Sequence, residues 1–166
     1  MQKVAIIMGS DSDLNTMQGA IDMLARFHVP FTVRVISAHR TPEACRAFAV
    51  GARGDGYGVL IAGAGKAAHL AGALAAATTL PIIGIPIKSS TLDGLDALLS
   101  TVQMPSGMPV ATVAIDGAAN AALLAIEMLA ISDAALAEQL ADFRLAQTKK
   151  VLEKDAEVCA RFACAE

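Results

Sequence analysis

The sequence predicts an α/β domain built on a parallel β-sheet, and two observations carry this prediction. Five short apolar runs rich in Val and Ile are continuous, not alternating, and are bounded by Gly, Pro or Ser. Such runs are typical of strands buried on both faces of a parallel sheet. Helical segments separate the runs, so strand and helix alternate as in a doubly wound sheet. The 166 residues suit a single domain, 1–166, and no linker or internal repeat suggests a boundary.

The elements follow in chain order from these runs. The predicted strands are residues 4–8, 31–36, 59–62, 81–85 and 111–115. The predicted helices cover residues 13–27, 42–53, 67–77, 92–101 and 118–131. The uncharged segment 67–87 resembles a membrane span in composition, but Pro81, Gly84 and Pro86 interrupt it. We therefore expect it to form a helix followed by a buried strand.

Residues 133–162 form a last predicted helix with no strand after it. Apolar side chains recur along it at roughly helical spacing, at Leu136, Leu140, Phe143, Val151, Val158 and Phe162. Either this helix folds back on its own domain, or it is an arm that packs on a neighbouring subunit. Hydrophobic residues make up 55% of the chain and charged residues only 17%, which favours a homo-oligomer and the arm.

Composition argues against several classes of function. A formal net charge of −3, no basic run, one Tyr and no Trp disfavour nucleic-acid binding. The three cysteines, Cys45, Cys159 and Cys164, form no Cys-x-x-Cys pair, which disfavours a zinc site or a disulfide framework and fits a reducing cytoplasm. The N-terminal apolar run is too short for a signal peptide, and we expect no membrane partner.

Residues able to do chemistry follow the first predicted strand, at the edge where open parallel sheets bind ligands. Gly9 allows a sharp turn, and Ser10 and Ser12 supply hydroxyls beside the N–H groups of the next helix, a combination that holds phosphate. Asp13 would repel phosphate, so we assign it to accept hydrogen bonds from sugar hydroxyls. Alternatively Ser12 caps the helix and Asp13 offsets the helix dipole, and this loop alone favours that structural role.

The loop after the second strand carries a histidine and an arginine just before a helix. Thr41 and Pro42 have the form of a helix cap followed by proline at the first helical position. His39 can exchange a proton near neutral pH, and the planar fork of Arg40 suits phosphate. The alternative is a surface pair without a function, and this loop alone leaves both open.

The loop after the third strand partly matches the dinucleotide-binding fingerprint, since residues 63–68 fit Gly-x-Gly-x-x-Gly/Ala. However, no acidic residue occurs after the next strand before Asp93, and the fingerprint belongs after a first strand. The phosphate-loop pattern also fails, because Ala67 follows Lys66. What remains is a Gly/Ala loop that permits close backbone approach, with His69 one turn into the helix. The remaining histidine, His28, lies at a predicted helix end and is expected to be structural.

Several motifs, taken in order, resemble the N5-carboxyaminoimidazole ribonucleotide mutase family of purine synthesis. They occupy residues 8–13 (Met-Gly-Ser-Asp-Ser-Asp), 37–42 (Ser-Ala-His-Arg-Thr-Pro), 62–65 (Ala-Gly-Ala-Gly), 67–70 (Ala-Ala-His-Leu), 103–110 and 120–124. The resemblance extends to about Thr148. It implies a flavodoxin-like three-layer αβα sandwich with a five-stranded parallel sheet and a C-terminal helical arm. It also implies a homo-octamer and a reaction that needs no metal, nucleotide cofactor or ATP.

The resemblance further implies the roles of individual residues. The essential histidine falls on His39 and a second pocket histidine on His69. The substrate-binding positions fall on Gly9, Ser10, Ser12, Asp13, Ser37, Ala38, Arg40, Ala64, Gly65 and Leu70. We expect Arg40 and Ser10 to hold the phosphate, Asp13 the ribose, and His69 to help orient the carboxylate.

The reaction implied is conversion of N5-carboxyaminoimidazole ribonucleotide to 4-carboxy-5-aminoimidazole ribonucleotide. In it, CO2 leaves the exocyclic nitrogen and is recaptured by ring carbon 4. His39 would give the first proton and take the second. Because CO2 must not escape, we expect a small, dry pocket beside the Gly/Ala loop.

Two positions depart from the family pattern, and two other functions compete. Lys66 stands where many members have glycine, and Ala71 where proline is common; we expect Lys66 to point to solvent. One alternative is an aminoimidazole ribonucleotide carboxylase that uses free CO2. The other is a non-catalytic flavodoxin-like module for a nucleotide or flavin, against which the scarcity of aromatic residues counts.

Overall fold

The computed structural model describes residues 1–162, which contain five strands and six α-helices. The strands are β1 (Lys3–Met8), β2 (Phe31–Val35), β3 (Tyr57–Gly65), β4 (Ile82–Ile87) and β5 (Ala111–Thr112). The helices are α1 (Leu14–Arg26), α2 (Pro42–Gly51), α3 (Leu70–Ala75), α4 (Leu95–Val102), α5 (Ala118–Ala130) and α6 (Ala134–Arg161). Short 3-10 turns at Asp11–Asp13 and Leu92–Gly94 precede α1 and α4.

All strand pairs are parallel, in the order β2-β1-β3-β4-β5. This is the flavodoxin-like order, so the predicted fold class is confirmed. One buried cluster lies between the sheet and α1, α5 and the start of α6. A second lies on the opposite face beneath α2 and α3. Because both faces are covered, β1, β3 and β4 are apolar along nearly their whole length.

Several predicted boundaries were wrong. Strand β3 runs on through Gly65, because Ala64 and Gly65 continue the ladder opposite Pro86 and Ile87. Helix α3 consequently starts at Leu70 and not at residue 67. Strand β5 covers two residues of the predicted five. Beyond Thr112 the Val113 and Asp116 N–H groups still donate to Gly84 and Pro86 of β4, but the regular ladder has ended, and the chain turns at Asp116, whose φ is +56°. The segment 67–87 does hold a helix followed by a buried strand.

Helix α6 has one part that packs on its own domain and one that does not. Leu136 and Leu140 are buried, and the ring of Phe143 meets that of Phe27 with centroids 5.5 Å apart. Residues 144–162 are exposed throughout, including the apolar side chains of Val151 and Phe162. The first part of this helix therefore folds back on its own domain, and packing of the rest on a neighbouring subunit stays a prediction.

Two of the three cysteines lie within the described residues. Cys45 is buried, which raises the pKa of its thiol, and Cys159 is exposed on α6; neither is in a disulfide, and Cys164 lies outside the described residues. None of the helices that the structure describes is long and apolar enough to cross a membrane. His28 follows α1 with a left-handed backbone, φ +55°, as expected for a residue at a helix end.

A substitution on β4 tests how tightly the helices pack on the sheet. A Cβ built on Gly84 would lie within van der Waals overlap of the Thr101 methyl on α4 and 3.0 Å from a Val110 methyl. Both neighbours are β-branched, and the Thr101 hydroxyl also donates a hydrogen bond to the Ala97 carbonyl. Neither side chain can therefore easily rotate away from the added methyl group. We expect Gly84→Ala to lower the free energy of unfolding by about 1–3 kcal/mol in urea denaturation.

The matched control is Gly54→Ala, whose Cβ would meet only the Gly51 carbonyl oxygen at 3.5 Å, an ordinary contact. It should change stability little. Equal stability of the two variants would contradict the close packing described for Gly84.

Candidate active site

A cavity of about 430 Å³ lies at the carboxyl ends of β1 to β4. The strand register creates it, because Met8 pairs with Val35 on one side and Gly63 on the other, and Gly65 pairs with Ile87. The loops after four strands therefore open onto one space. Every predicted site residue except Arg40 lines it: Gly9, Ser10, Ser12, Asp13, Ser37, Ala38, His39, Ala64, Gly65, His69 and Leu70.

The loop after β1 is held by its own hydroxyl groups. Ser10, not Ser12, caps the 3-10 turn: its Oγ accepts from the Ser12 backbone N–H at 3.3 Å and lies 2.9 Å from the Ser12 hydroxyl. The expectation of a Ser12 cap was wrong, because the chain makes a 3-10 turn before α1 begins. The two hydroxyls face the cavity as a pair.

The loop after β2 is fixed by Thr41. Its hydroxyl accepts from the Ser37 N–H and donates to the Ser37 carbonyl, both at 3.0 Å, and so does not cap α2. The Ser37 hydroxyl in turn accepts from the Arg40 N–H at 3.2 Å. These bonds close a tight turn around Ala38 and His39, which determines where the imidazole projects.

Arg40 lies beside the cavity and not in its lining. Its guanidinium donates to the Gly9 carbonyl at 3.3 Å and so ties the loop after β2 to the loop after β1. The side chain is exposed, with further N–H donors available for an anion at the rim.

The segment between β3 and α3 presents Lys66 and His69. His69 is the N-cap residue of α3 and not one turn into the helix as expected, because β3 is longer than predicted. Lys66 has a left-handed backbone, φ +55°, which explains why glycine suits this position. Ala71 lies in the first turn of α3, where proline is tolerated as well.

The two predicted histidines meet. His39 Nε2 lies 2.9 Å from His69 Nδ1, and the rings are nearly perpendicular, at 84°, with centroids 5.0 Å apart. One of these nitrogens must carry a proton and the other a lone pair. Both imidazoles are exposed in the single chain, so the cavity is not closed as the sequence led us to expect.

Asp13 faces the hydroxyl pair and is partly removed from water. Burial is the main effect and raises the pKa of its carboxyl; hydrogen bonds from the Ser10 backbone and the Ser12 hydroxyl oppose the rise, and the charge of Asp11 adds to it. Asp13 is therefore an acceptor that loses its charge at a higher pH than an ordinary aspartate.

Sequence reasoning missed several lining residues: Thr16, Ala67, Ile87, Lys88 and Ser89. The rule that strand ends share one edge would have found Lys88 and Ser89, since they follow β4. The Lys88 ammonium pairs with Asp93 at 3.0 Å, and its backbone N–H donates to the Asp116 carboxylate at 2.9 Å.

Within residues 1–162, no cluster of three or more His, Cys, Asp or Glu side chains could hold a metal ion.

Comparison with known proteins gives consistent results. Residues 3–150 match the family described as AIR carboxylase. The N5-carboxyaminoimidazole ribonucleotide mutase of Brucella melitensis is 55% identical over 91% of this chain and 94% of its own length. The mutase of the same name from Pyrococcus abyssi is 58% identical over 87% of this chain and 83% of its own. The crystal structure of Treponema denticola PurE superposes with a TM-score of 0.85, at 28% identity, over 93% of this chain and 96% of that one.

The left-handed backbone at Lys66 predicts a gain in stability on substitution by glycine. Lys66→Gly relieves the Cβ strain, and we expect it to raise the free energy of unfolding by about 0.5–1 kcal/mol in urea denaturation. Ala47→Gly, at an exposed position within α2, is the control and should lower it by about 1 kcal/mol. If Lys66→Gly lowered the free energy of unfolding as Ala47→Gly does, the backbone strain assigned to Lys66 would be contradicted.

The raised pKa of Asp13 predicts a pH-dependent effect on stability. Above that pKa the fold holds a carboxylate that the unfolded chain solvates better, so the charge costs stability. We expect Asp13→Asn to raise the free energy of unfolding at pH 7. The gain should shrink as pH falls through the pKa, because the wild-type carboxyl then becomes neutral.

Urea denaturation at several pH values measures this difference. Asp142→Asn, at an exposed position on α6, is the control and should have little effect. A gain at Asp13 that grows as pH falls would contradict the account.

Proposed function

The chain belongs to the AIR carboxylase family, and on that premise we propose that it catalyses the mutase reaction of purine (IMP) biosynthesis. It is an isomerase that converts N5-carboxyaminoimidazole ribonucleotide to 4-carboxy-5-aminoimidazole ribonucleotide. Substrate and product have the same atoms, because the carboxyl group moves from the exocyclic nitrogen to ring carbon 4. The reaction needs one proton delivered and one removed.

The hydrogen bond between His39 and His69 is the observation that supports this activity best. The pair offers one protonated and one unprotonated nitrogen in the same cavity. The reaction needs both, because a proton is first given to the substrate and later taken from it. His39 protonates the carbamate nitrogen, and the C–N bond to the carboxyl group breaks to release CO2. Ring carbon 4 then bonds to CO2, and the pair removes the proton from that carbon to restore aromaticity.

The other site residues hold the ribonucleotide. The hydroxyls of Ser10 and Ser12 donate to the phosphate, with Arg40 supplying charge from the rim. Asp13 accepts from the ribose hydroxyls. The chain near Gly9, Ala64 and Gly65 has no bulky side chains, so the ligand can approach the backbone closely.

Retention of CO2 requires a cover that the single chain lacks, since both imidazoles are exposed. We assign the cover to assembly as a homo-octamer in the cytoplasm, with the exposed part of α6, residues 144–162, packed on a neighbouring subunit. Its uncovered side chains Leu145, Val151, Leu152, Val158 and Phe162 supply the apolar contact.

A second candidate is carboxylation of aminoimidazole ribonucleotide by free CO2, which the description of the family favours. It forms the same product and uses the same proton removal from ring carbon 4. A non-catalytic nucleotide or flavin module is the third candidate, but it has no use for the histidine pair.

Turnover of freshly made N5-carboxyaminoimidazole ribonucleotide, without ATP or added bicarbonate, tests the proposal. We expect product absorbance to rise faster than the carbamate decomposes. His39→Asn should reduce turnover by about 10²–10⁴-fold, because the proton donor and acceptor is lost. His28→Asn is the matched control and should keep wild-type turnover, because asparagine also accepts a left-handed backbone.

Near wild-type turnover in His39→Asn would refute the role of His39. Product formed only from aminoimidazole ribonucleotide at high CO2 would establish the carboxylase. No turnover of either compound would leave the binding module.

A further inference from the structure

Two lysines, Lys66 and Lys88, line the cavity without a role in the scheme above. They directly follow Gly65 and Ile87, which are partners in the register of β3 and β4. Because neighbouring strands lie about 4.8 Å apart, the two lysines leave the sheet side by side. The close approach of the strands is visible at Gly65, where a Cβ would lie 3.1 Å from the Ile87 carbonyl oxygen.

The charges of the two lysines are not equally available. The Lys88 ammonium pairs with Asp93, and its backbone is bonded to Asp116. Lys66 makes no ion pair with any residue of the described segment 1–162. It also keeps a left-handed backbone that favours glycine. A strained, unneutralised cation in a ligand cavity is a candidate for anion binding.

The position of Lys66 indicates which anion it meets. The Ser10 and Ser12 hydroxyls and Arg40 gather on the β1 and β2 side of the cavity, where the phosphate is assigned. Lys66 lies on the segment after β3, three residues before His69, which is one of the two histidines of the pair. The group that reacts beside this pair is the carboxylate, and of the two cavity lysines Lys66 lies nearer in sequence to a histidine of the pair.

We propose that Lys66 binds the transferred carboxylate. This inference rests on the proposed function and deepens it. The ammonium donates a charge-assisted hydrogen bond to a carboxylate oxygen in substrate and product. It thereby restrains the carboxyl group next to the histidine pair while the Ser10 and Ser12 hydroxyls and Arg40 hold the phosphate.

The test compares two ribonucleotides that differ only by this group. 4-Carboxy-5-aminoimidazole ribonucleotide carries the carboxylate, and 5-aminoimidazole ribonucleotide lacks it. Their binding is measured by titration calorimetry in the His39→Asn protein, to suppress turnover, with and without Lys66→Met. We expect Lys66→Met to weaken binding of the carboxylated compound about tenfold and of the other less than twofold.

Two further variants serve as controls. Lys66→Arg keeps the charge and should restore most of the affinity for the carboxylated compound. Lys150→Met removes an exposed charge on α6, away from the cavity, and should change neither affinity.

Equal weakening of both compounds by Lys66→Met would overturn the inference, because the lysine would then serve the shared ribose phosphate. Unchanged affinity for both would also overturn it and would place Lys66 in solvent. If the protein with Lys66 intact binds neither compound, the proposed function fails and this inference fails with it. If the protein with Lys66 intact does bind, then equal weakening of both compounds or unchanged affinity for both overturns this inference and leaves the proposed function standing.

Discussion

The parallel pairing of β1 between β2 and β3 is the constraint on which the candidate site depends. It aligns Met8 with Val35 and with Gly63, so the loops after β1 and β2 leave the sheet at one level and β3 continues two residues further, to Gly65. Apolar side chains on both faces of the central strands fix this register, because a slip by one residue would exchange the two buried faces. The hydrophobic core thus determines the geometry of a polar site that contributes little to it.

The histidine pair is the main chemical consequence of that register. His39 and His69 are thirty positions apart in sequence, on segments that follow two strands separated by β1. Each is positioned locally: the Thr41 hydroxyl closes the turn before α2, and His69 is the N-cap residue of α3. Their contact at 2.9 Å needs both turns and the intervening strand together. The pairing of β3 with β4 likewise places Lys66 and Lys88 beside one cavity although they follow different strands.

Much of this arrangement could be predicted from the sequence. Continuous Val- and Ile-rich runs identified every strand, and their alternation with helices gave the fold class. The edge rule for open sheets then gathered the residues of the first three loops in one place. The wrong boundaries have physical causes: Ala64 and Gly65 have low strand propensity, yet ladder pairing with β4 extends β3 through them.

Other features depend on backbone geometry that composition does not reveal. The left-handed residues Lys66 and Asp116 set the path of two loops, and neither is a glycine. The sequence pattern also gave no weight to Lys88, because the loop after β4 matches no known phosphate or nucleotide motif. Exposure of the imidazoles is likewise invisible in sequence, and it shows that one chain does not close its own site.

The central claim is that the carboxyl group moves within this one cavity and does not mix with dissolved CO2. The most direct measurement uses N5-carboxyaminoimidazole ribonucleotide labelled with carbon-13 at the carbamate carbon, turned over in buffer containing unlabelled bicarbonate. Mass spectrometry of the product reports the origin of its carboxyl carbon. The account predicts that the product retains the label almost completely. A product carrying the unlabelled carbon of the buffer would contradict it and would establish a reaction through free CO2.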